Sequence, residues 1–453
     1  MFESLCLVDI MRREIPDAPA VITEKTMYTY QQLHEQINKT SRWLQKKGVK
    51  AKQRIAFVAK NKPETLLLFF ALARLAVTSC PISTRMPMEQ LPDYLKRIEA
   101  SFYVDIDTFS SQPTVQSLGN FSVETTPLFS LISSSGSTSA PKLIAHTLDN
   151  FYYSALGSNL TLTLSSGDQW LMSLPLYHVG GIAVAFRCFL AGAAIVFSEG
   201  PLSESLKRHR ISHVSLVPTQ LYRLLHKVPS LSIPSLKASL IGGAPLSNSL
   251  FQEAIQKGLP IFPTYGMTEM SSQITMDSNS PIPNKLTAGL LLPYRELKIS
   301  DEAEIFVKGP TLFQGYWTDH HRIECPTREG WFSTQDLGSL DPDGNLSIHG
   351  RKDQMFISGG ENIHPEMIER HLSELPGVIQ SFIIPIADVE FGQRPVAFIH
   401  MDGTLYSVEE IKERLKGQIP SFCMPVKVFP LPAVHAMQNK VSRKELRDHL
   451  ATL

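Results

Sequence analysis

The stretch LFSLISSSGSTSAPKLIAH, residues 128–146, decides how the rest of the chain is read. Its flanks, Leu128–Ile132 and Leu143–His146, are short apolar runs of the kind that form buried strands. Between them, residues 133–142 are small hydroxyl side chains, one glycine and a closing lysine. Such residues let backbone N–H groups and hydroxyls surround phosphate oxygens, and Lys142 adds positive charge. The G-x-x-x-x-G-K-[ST] spacing is absent, so this is not a Walker A loop. Taken alone, the stretch also fits a flexible Ser-rich linker.

Working outward, short apolar runs alternate with helical patterns through the first 350 or so residues. Arg54–Ala59 reads as a buried strand, followed by Pro63 and a helix from about Glu64. Trp170–Leu174, Ala193–Phe197, His213–Val217 and Leu240–Ile241 are further strand candidates with helix-length segments between them. That alternation predicts α/β architecture with substantially parallel sheets. After about Pro293 the texture changes. Glu304–Lys308, a turn at Asp341–Gly344 and Leu346–Ile348 predict smaller antiparallel strands. A helix from Pro365, a strand near Ser381–Pro385 and a helix from Val408 then predict a separate C-terminal unit of mixed α+β structure. We expect two domains, 1–352 and 353–453, in line with a chain of 453 residues being too long for one ordinary core.

Bulk properties narrow the function classes. Lys plus Arg and Asp plus Glu each total 43, so no global attraction to nucleic acid or to an anionic membrane is expected. An anionic substrate would need locally placed cations. The five cysteines are scattered without a CxxC pair, which predicts neither a disulfide framework nor a structural zinc site and suggests a reduced, cytoplasmic protein. The N-terminus has charges and prolines where a signal peptide would need an unbroken apolar region. Thr65–Val77 is the longest apolar stretch, yet it contains Arg74 and is too short to span a bilayer, so no stable membrane insertion is expected.

Two further motifs carry chemistry. In Tyr265-Gly266-Met267-Thr268-Glu269, glycine permits a tight turn while Thr268 and Glu269 offer oxygen ligands for phosphate and Mg²⁺. By itself this also fits an ordinary turn opening a helix. Gly242-Gly243-Ala244-Pro245, just upstream, would let a flat base approach the backbone, or would serve only as a strand-to-helix turn.

Together and in order, these segments resemble the adenylate-forming superfamily of acyl-CoA synthetases, peptide-synthetase adenylation domains and luciferases. The resemblance extends over nearly the whole chain. It includes Tyr177-His178, EIFVKGPTLFQGYW at 304–317, Asp336, GRKDQMFISGGENIHPEMIE at 350–369 and Asn439-Lys440-Val441. It implies a large N-terminal domain of stacked mixed sheets with a small β-barrel-like subdomain, and a small mobile C-terminal domain. It implies ATP, Mg²⁺ and coenzyme A as cofactors or co-substrates. By that resemblance Ser134, Ser137, Thr138 and Lys142 contact the ATP phosphates, while Gly243, Ala244 and Tyr265 frame the adenine. Thr268 lies near the α-phosphate and Glu269 binds Mg²⁺. Asp336 accepts from the ribose hydroxyls, with Arg351 helping to hold that region. Asp353 is the hinge and Lys440 the lysine delivered for adenylation. Gly359 and Gly360, in Ser358–Asn362, leave room for the pantetheine thiol in a second step.

The stretch LPLYHVGGIAVAFRCFL, with His178 nine residues before Arg187, resembles the o-succinylbenzoate–CoA ligases of menaquinone biosynthesis. YGMTEMSSQIT at 265–275, which includes Gly266, points the same way. The resemblance implies a small aromatic dicarboxylate as substrate, with one carboxylate activated and the other anchored by Arg187; His178 and Gly266 would complete the acid site. A bidentate guanidinium suits such an anchor. Departures from the family pattern are Ser139 and Gln335 where glycine is common, and Asn439 in place of the glycine before the lysine. Another aryl- or fatty-acyl-CoA ligase, a carrier-protein adenylation enzyme, or a degenerate adenylate-binding sensor are the competing expectations. Loss of Lys440, Glu269 or Asp336 would favour the sensor, and all three are present.

Overall fold

The computed structural model describes residues 7–107, 115–117, 128–134, 141–227, 232–277, 286–433 and 441–453. Among these residues, nine strands form one sheet whose centre is parallel: Pro19–Ile22, Ala194–Val196, Gln169–Leu171, His213–Leu216, Ala238–Ile241 and Ile261–Met267. Antiparallel strands close both edges, Met27–Thr29 on one side and Ser272–Met276 with Leu290–Leu291 on the other. A second sheet of eight described strands is built around parallel Arg54–Val58, Thr78–Ile82 and Phe102–Val104. The expected α/β architecture is therefore present, and the parallel strands are the apolar, β-branched runs that must be buried on both faces.

Helices Pro63–Arg74, Leu148–Asn159 and Val179–Ala191 fill the space between the sheets. Their aromatic residues interlock: Phe186 lies 5.2 Å from Phe151, 5.4 Å from Phe129 and 5.7 Å from Phe70, centroid to centroid. Each such ring contributes about 1.5–3 kcal/mol by leaving water. Helix Val179–Ala191 is buried along most of its length because its sequence is apolar all round. Gly192 ends it at φ 70°, a left-handed conformation suited to glycine. Thr147 starts helix Leu148–Asn159 through a reciprocal cap with Asn150, directly after strand Leu143–His146.

A smaller antiparallel sheet follows. Its core is Glu296–Ile299, Glu304–Lys308 and the long strand Trp331–Leu340, which pairs with Leu346–Arg351. Beyond it, the C-terminal body has its own core of Ile368, Leu372, Ile383, Ala397, Ile399 and Ile411. Its sheet is Val378–Asp388, Gly392–Met401 and Lys427–Pro430, packed by helix Pro365–Ser373. One link to the large body is specific. The Glu374 carboxylate accepts from the backbone N–H groups of Asn248 and Ser249 at 2.7 and 2.9 Å, at the start of helix Asn248–Gln256. An anion at a helix N-terminus is electrostatically favoured there. No helix among the described residues is long and apolar enough to cross a membrane.

Candidate active site

A cavity of about 740 Å³ opens at the carboxyl ends of the parallel strands, where open α/β sheets usually bind ligands. Its walls come from the large body, from the antiparallel sheet and from Val441, Ser442 and Arg443 of the C-terminal body. The strands Ser130–Ser133 and Leu143–His146 pair antiparallel. The Ser134 N–H donates to the Lys142 carbonyl at 2.9 Å, and Arg97 holds the Pro141 carbonyl at 2.8 Å. Ser134 and Lys142 both line the cavity, with the Lys142 ammonium 4.8 Å from the Tyr316 ring centre. Ser137, Thr138 and Ser139 lie outside the described residues.

The YGMTE segment brings its groups to the same wall. Strand Ile261–Met267 runs into a single 3-10 turn, Thr268–Met270, and returns antiparallel as Ser272–Met276. Gly266 is required by this reversal, since a Cβ there would sit 2.0 Å from the Ser272 carbonyl oxygen. Buried His146 Nε2 donates to the Thr268 carbonyl at 2.8 Å. Burial lowers its pKa to about 4, so the ring is neutral at ordinary pH. Tyr316 donates its hydroxyl to Glu269 Oε1 at 2.8 Å. Among the described residues the other Glu269 oxygen accepts no hydrogen bond, which leaves it for a cation. A single carboxylate beside a phosphate site is the donor set Mg²⁺ commonly uses. Neither His146 nor Tyr316 was singled out in the sequence. Tyr316 lies within the 304–317 segment and His146 closes the 128–146 stretch, but neither position is marked individually.

Side-chain ions partner one another at the next wall. Tyr265 donates to Asp336 Oδ2 at 2.6 Å, and Arg351 reaches Asp336 Oδ1 at 2.9 Å while gripping both Asp353 oxygens at 2.8 and 3.0 Å. Burial raises the Asp336 pKa, against the pull of Arg351 and the Tyr265 hydroxyl. Burial disfavours the Arg351 charge, yet its hydrogen bonds to Asp353 and the Asp336 charge raise its pKa overall. Gln335, where glycine is common in the family, has φ 63°. A residue with Cβ there costs roughly 1–2 kcal/mol. Its amide donates to Glu304 Oε1 at 2.9 Å, a hydrogen bond glycine lacks and one that offsets the strain.

The opposite end of the cavity is where helix Val179–Ala191 contributes. His178 is exposed at its N-terminus and lines the cavity, 4.6 Å from the Tyr177 ring. Arg187 is 2% exposed, yet it also lines the cavity. One guanidinium nitrogen donates to Ser272 Oγ at 3.1 Å, and the group lies 5.6 Å from the Trp170 ring centre. Its Nε is buried without a hydrogen-bond partner, and among the described residues no carboxylate pairs with it. Burial lowers its pKa to about 10. Ser272 and Gln273, neighbours on this wall, were also not singled out individually.

Four of the described sequence-predicted residues do not line the cavity: Ala244, Tyr265, Gly359 and Gly360, with Tyr265 reaching it only through its hydrogen bond to Asp336. Gly243 lines it, at φ 80°, but Ala244 is exposed just beyond. Gly359 and Gly360 form the tight turn between strands Phe356–Ser358 and Glu361–Ile363, at φ 59° and 88°. The Gly359 N–H is held by the Phe391 carbonyl at 2.9 Å, inside the C-terminal body. Lys440 and Asn439 lie outside the described residues, although the next three residues line the cavity.

The family model described as AMP-binding enzyme matches residues 11–317. A 2-succinylbenzoate–CoA ligase of Haemophilus influenzae is 35% identical over 95% of this chain and 94% of its own length. The o-succinylbenzoate CoA synthetase MenE of Bacillus subtilis, solved with the acyl-adenylate intermediate OSB-AMP, is 27% identical and superimposes with a TM-score of 0.86 over 98% of each chain. The same enzyme with ATP and magnesium ion gives a TM-score of 0.85, covering 98% of this chain and 99% of that one.

Proposed function

Because the chain belongs to the AMP-binding enzyme family, we propose that it is an ATP-dependent ligase that joins 2-succinylbenzoate to coenzyme A through an acyl-adenylate, in menaquinone biosynthesis. The observation that carries the substrate class is Arg187: a buried guanidinium at the cavity, one nitrogen unpartnered, with no carboxylate paired to it among the described residues. A buried charge without a counterion is costly, and an incoming carboxylate offsets that cost. A monocarboxylic acid gives its only carboxylate to the reaction; a dicarboxylic acid has a second one for Arg187.

In the first step a carboxylate oxygen of the acid attacks the α-phosphorus and pyrophosphate leaves. Two anions must meet, so the chain's task is to offset charge and align the groups. Ser134, Ser137, Thr138 and Lys142 bind the phosphates. Glu269 holds Mg²⁺, which neutralises phosphate charge when bound. Thr268, fixed through its carbonyl by His146, sits near the α-phosphate. Gly243, Ala244 and Tyr265 frame the adenine, and Asp336 with Arg351 holds the ribose. Lys440 supplies a further positive charge to this step; the cavity-lining position of Val441–Arg443 supports that role.

In the second step the CoA thiol, as thiolate, attacks the acyl carbon and AMP leaves. Lys440 has no part in it. We place the domain boundary at residues 352/353, with Asp353 as the hinge about which the C-terminal domain turns to bring Gly359 and Gly360 to the acyl group. The hinge residue is bound to Arg351 on the nucleotide side, which fits a pivot that senses the nucleotide. Closure of this sort uses a few residues to absorb the turn. We place the enzyme in the cytoplasm, where thiols such as buried Cys80, Cys188 and Cys423 stay reduced.

The test separates the two steps. Lys440→Ala should lower pyrophosphate release from ATP and 2-succinylbenzoate at least about a hundredfold, a loss expected when a charge group acts in the transition state. The same variant should convert supplied acyl-adenylate and CoA to thioester at near the wild-type rate. Full-speed adenylation in that variant would refute the assigned role, and wild-type turnover of no dicarboxylic acid would refute the function.

A further inference from the structure

Behind the Arg187 wall lies a second buried guanidinium that none of the roles above uses. Arg295 is 6% exposed and does not line the cavity. Its Nε donates to the Gln273 carbonyl at 2.6 Å, one terminal nitrogen to the Pro293 carbonyl at 2.6 Å, and the other to the Ser154 carbonyl and hydroxyl at 3.0 and 3.1 Å. Ser154 passes the clamp on, since its hydroxyl donates to the Ser271 carbonyl at 2.8 Å. Arg295 therefore holds residues 271 and 273, one on each side of Ser272, the residue that touches Arg187.

That segment needs holding. Ser271 has φ 53° and Ser272 φ 116°, both in the left-handed region that residues with a Cβ rarely adopt. Strain of this kind costs of order 1–3 kcal/mol per residue and persists only where the surroundings enforce it. The conformation aims the Ser272 hydroxyl at Arg187, while Ser272 and Gln273 both form cavity wall. The neighbouring helix is shaped for the clamp as well. A Cβ at Gly157 would lie 2.3 Å from the Pro293 carbonyl oxygen and 2.4 Å from an Arg295 terminal nitrogen.

Charge gives the clamp a second consequence. Among the described residues neither Arg187 nor Arg295 has a carboxylate partner. Burial, and after it the Arg187 charge, lower the Arg295 pKa to about 9. Two buried cations that repel each other make one end of the cavity strongly attractive to an anion. A neutral group placed there leaves both charges uncompensated.

We propose that Arg295 is a positioning and specificity-determining residue: it holds the strained Ser271–Gln273 wall against Arg187 and, with Arg187, selects acids that carry a second anionic group. This rests on the reading of the chain as a dicarboxylate–CoA ligase. Its role is exerted through Ser272 and Arg187, without contact with the substrate.

The experiment compares wild type, Arg295→Lys and Arg295→Met on 2-succinylbenzoate and on an analogue whose non-reacting carboxylate is a neutral methyl ester. The readout is the ratio of the two kcat/KM values, from pyrophosphate release. A merely structural clamp would lower both values together and leave the ratio alone. Arg295→Met should lower the ratio about tenfold or more, mainly through KM for the dicarboxylate, as expected when a buried charge interaction is lost. Arg295→Lys, which keeps the charge but not the multi-point clamp, should lower it about threefold. An unchanged ratio overturns the proposal. Should Arg295→Met fail to fold, Arg295→Lys decides alone by the same ratio. A wild type without preference for the dicarboxylate overturns the substrate reading beneath it, which separates that failure from failure of the Arg295 role.

Discussion

The two ends of the cavity handle positive charge in opposite ways. At the end we assign to the nucleotide, Arg351 is already neutralised: Asp336 and Asp353 both pair with it, and Tyr265 completes the chain. At the end we assign to the acid, Arg187 and Arg295 bond among the described residues to hydroxyl and carbonyl oxygens only. A self-neutralised network is stable when empty and redistributes its partners when a ligand arrives. A pair of uncompensated cations is poised for one anion and has no substitute partner. The difference teaches that tolerance to mutation should be unequal along one cavity, high where ions share partners and low where they do not.

Arg187→Leu tests that inequality where the effect is largest. It removes the cation facing the cavity, and no described side chain can replace it there. We expect kcat/KM for 2-succinylbenzoate to fall about 10²–10³-fold, the scale of losing a desolvated charge contact. The half-reaction with a neutral monocarboxylic analogue should fall far less. Equal losses on the two acids would break the comparison, because the acid end would then be recognising shape instead of charge.

Asp336→Asn probes the other end. The substitution removes one of two carboxylates from Arg351, but Asp353 still grips that guanidinium through two oxygens. Folding stability should therefore change by less than about 1 kcal/mol, as for a partly exposed pair with a spare partner. The KM for ATP should rise about thirtyfold, since an amide in place of the carboxylate weakens the acceptor offered to ribose hydroxyls. A melting temperature that collapsed in this variant would show that the network has no redundancy.

How much of this was legible in the sequence follows the same division. Strands such as Arg54–Val58 and Glu304–Lys308 are short apolar or alternating runs, and period alone locates them. The Tyr265–Asp336–Arg351–Asp353 network was easier to read because its residues lie in or beside compact motifs, with Tyr265 and Glu269 four positions apart and Arg351 two before Asp353. At the acid end the sequence singled out only His178, Arg187 and Gly266. Ser154, Ser272 and Arg295 are scattered over more than a hundred residues, and only the reversal of strand Ile261–Met267 into Ser272–Met276 brings them together. The left-handed backbone at Ser271 and Ser272 is likewise invisible, because serine gives no signal for positive φ. Gln335 shows the converse. Its oddity against the family pattern was legible, but the Glu304 hydrogen bond that offsets it required the fold.

The smallest expected effect sharpens the comparison most. Tyr265→Phe removes one hydroxyl from Asp336 and keeps the rest of the ring in place. The bond is short, at 2.6 Å, and its acceptor is charged, so in isolation its loss would cost about 1.5–3 kcal/mol. Within a shared network the remaining Arg351 bond absorbs part of that loss. We expect KM for ATP to rise only about threefold to tenfold, with KM for the acid unchanged. The sign also has a pH consequence. The Tyr265 hydroxyl favours the charged form of Asp336, so its removal pushes the already raised Asp336 pKa further up. ATP binding should then weaken at a higher pH on the acid side in the variant than in wild type. A variant with an unshifted acid limb would mean that Arg351 alone sets the charge state of Asp336, and that the nucleotide end is a simple ion pair with a tyrosine beside it.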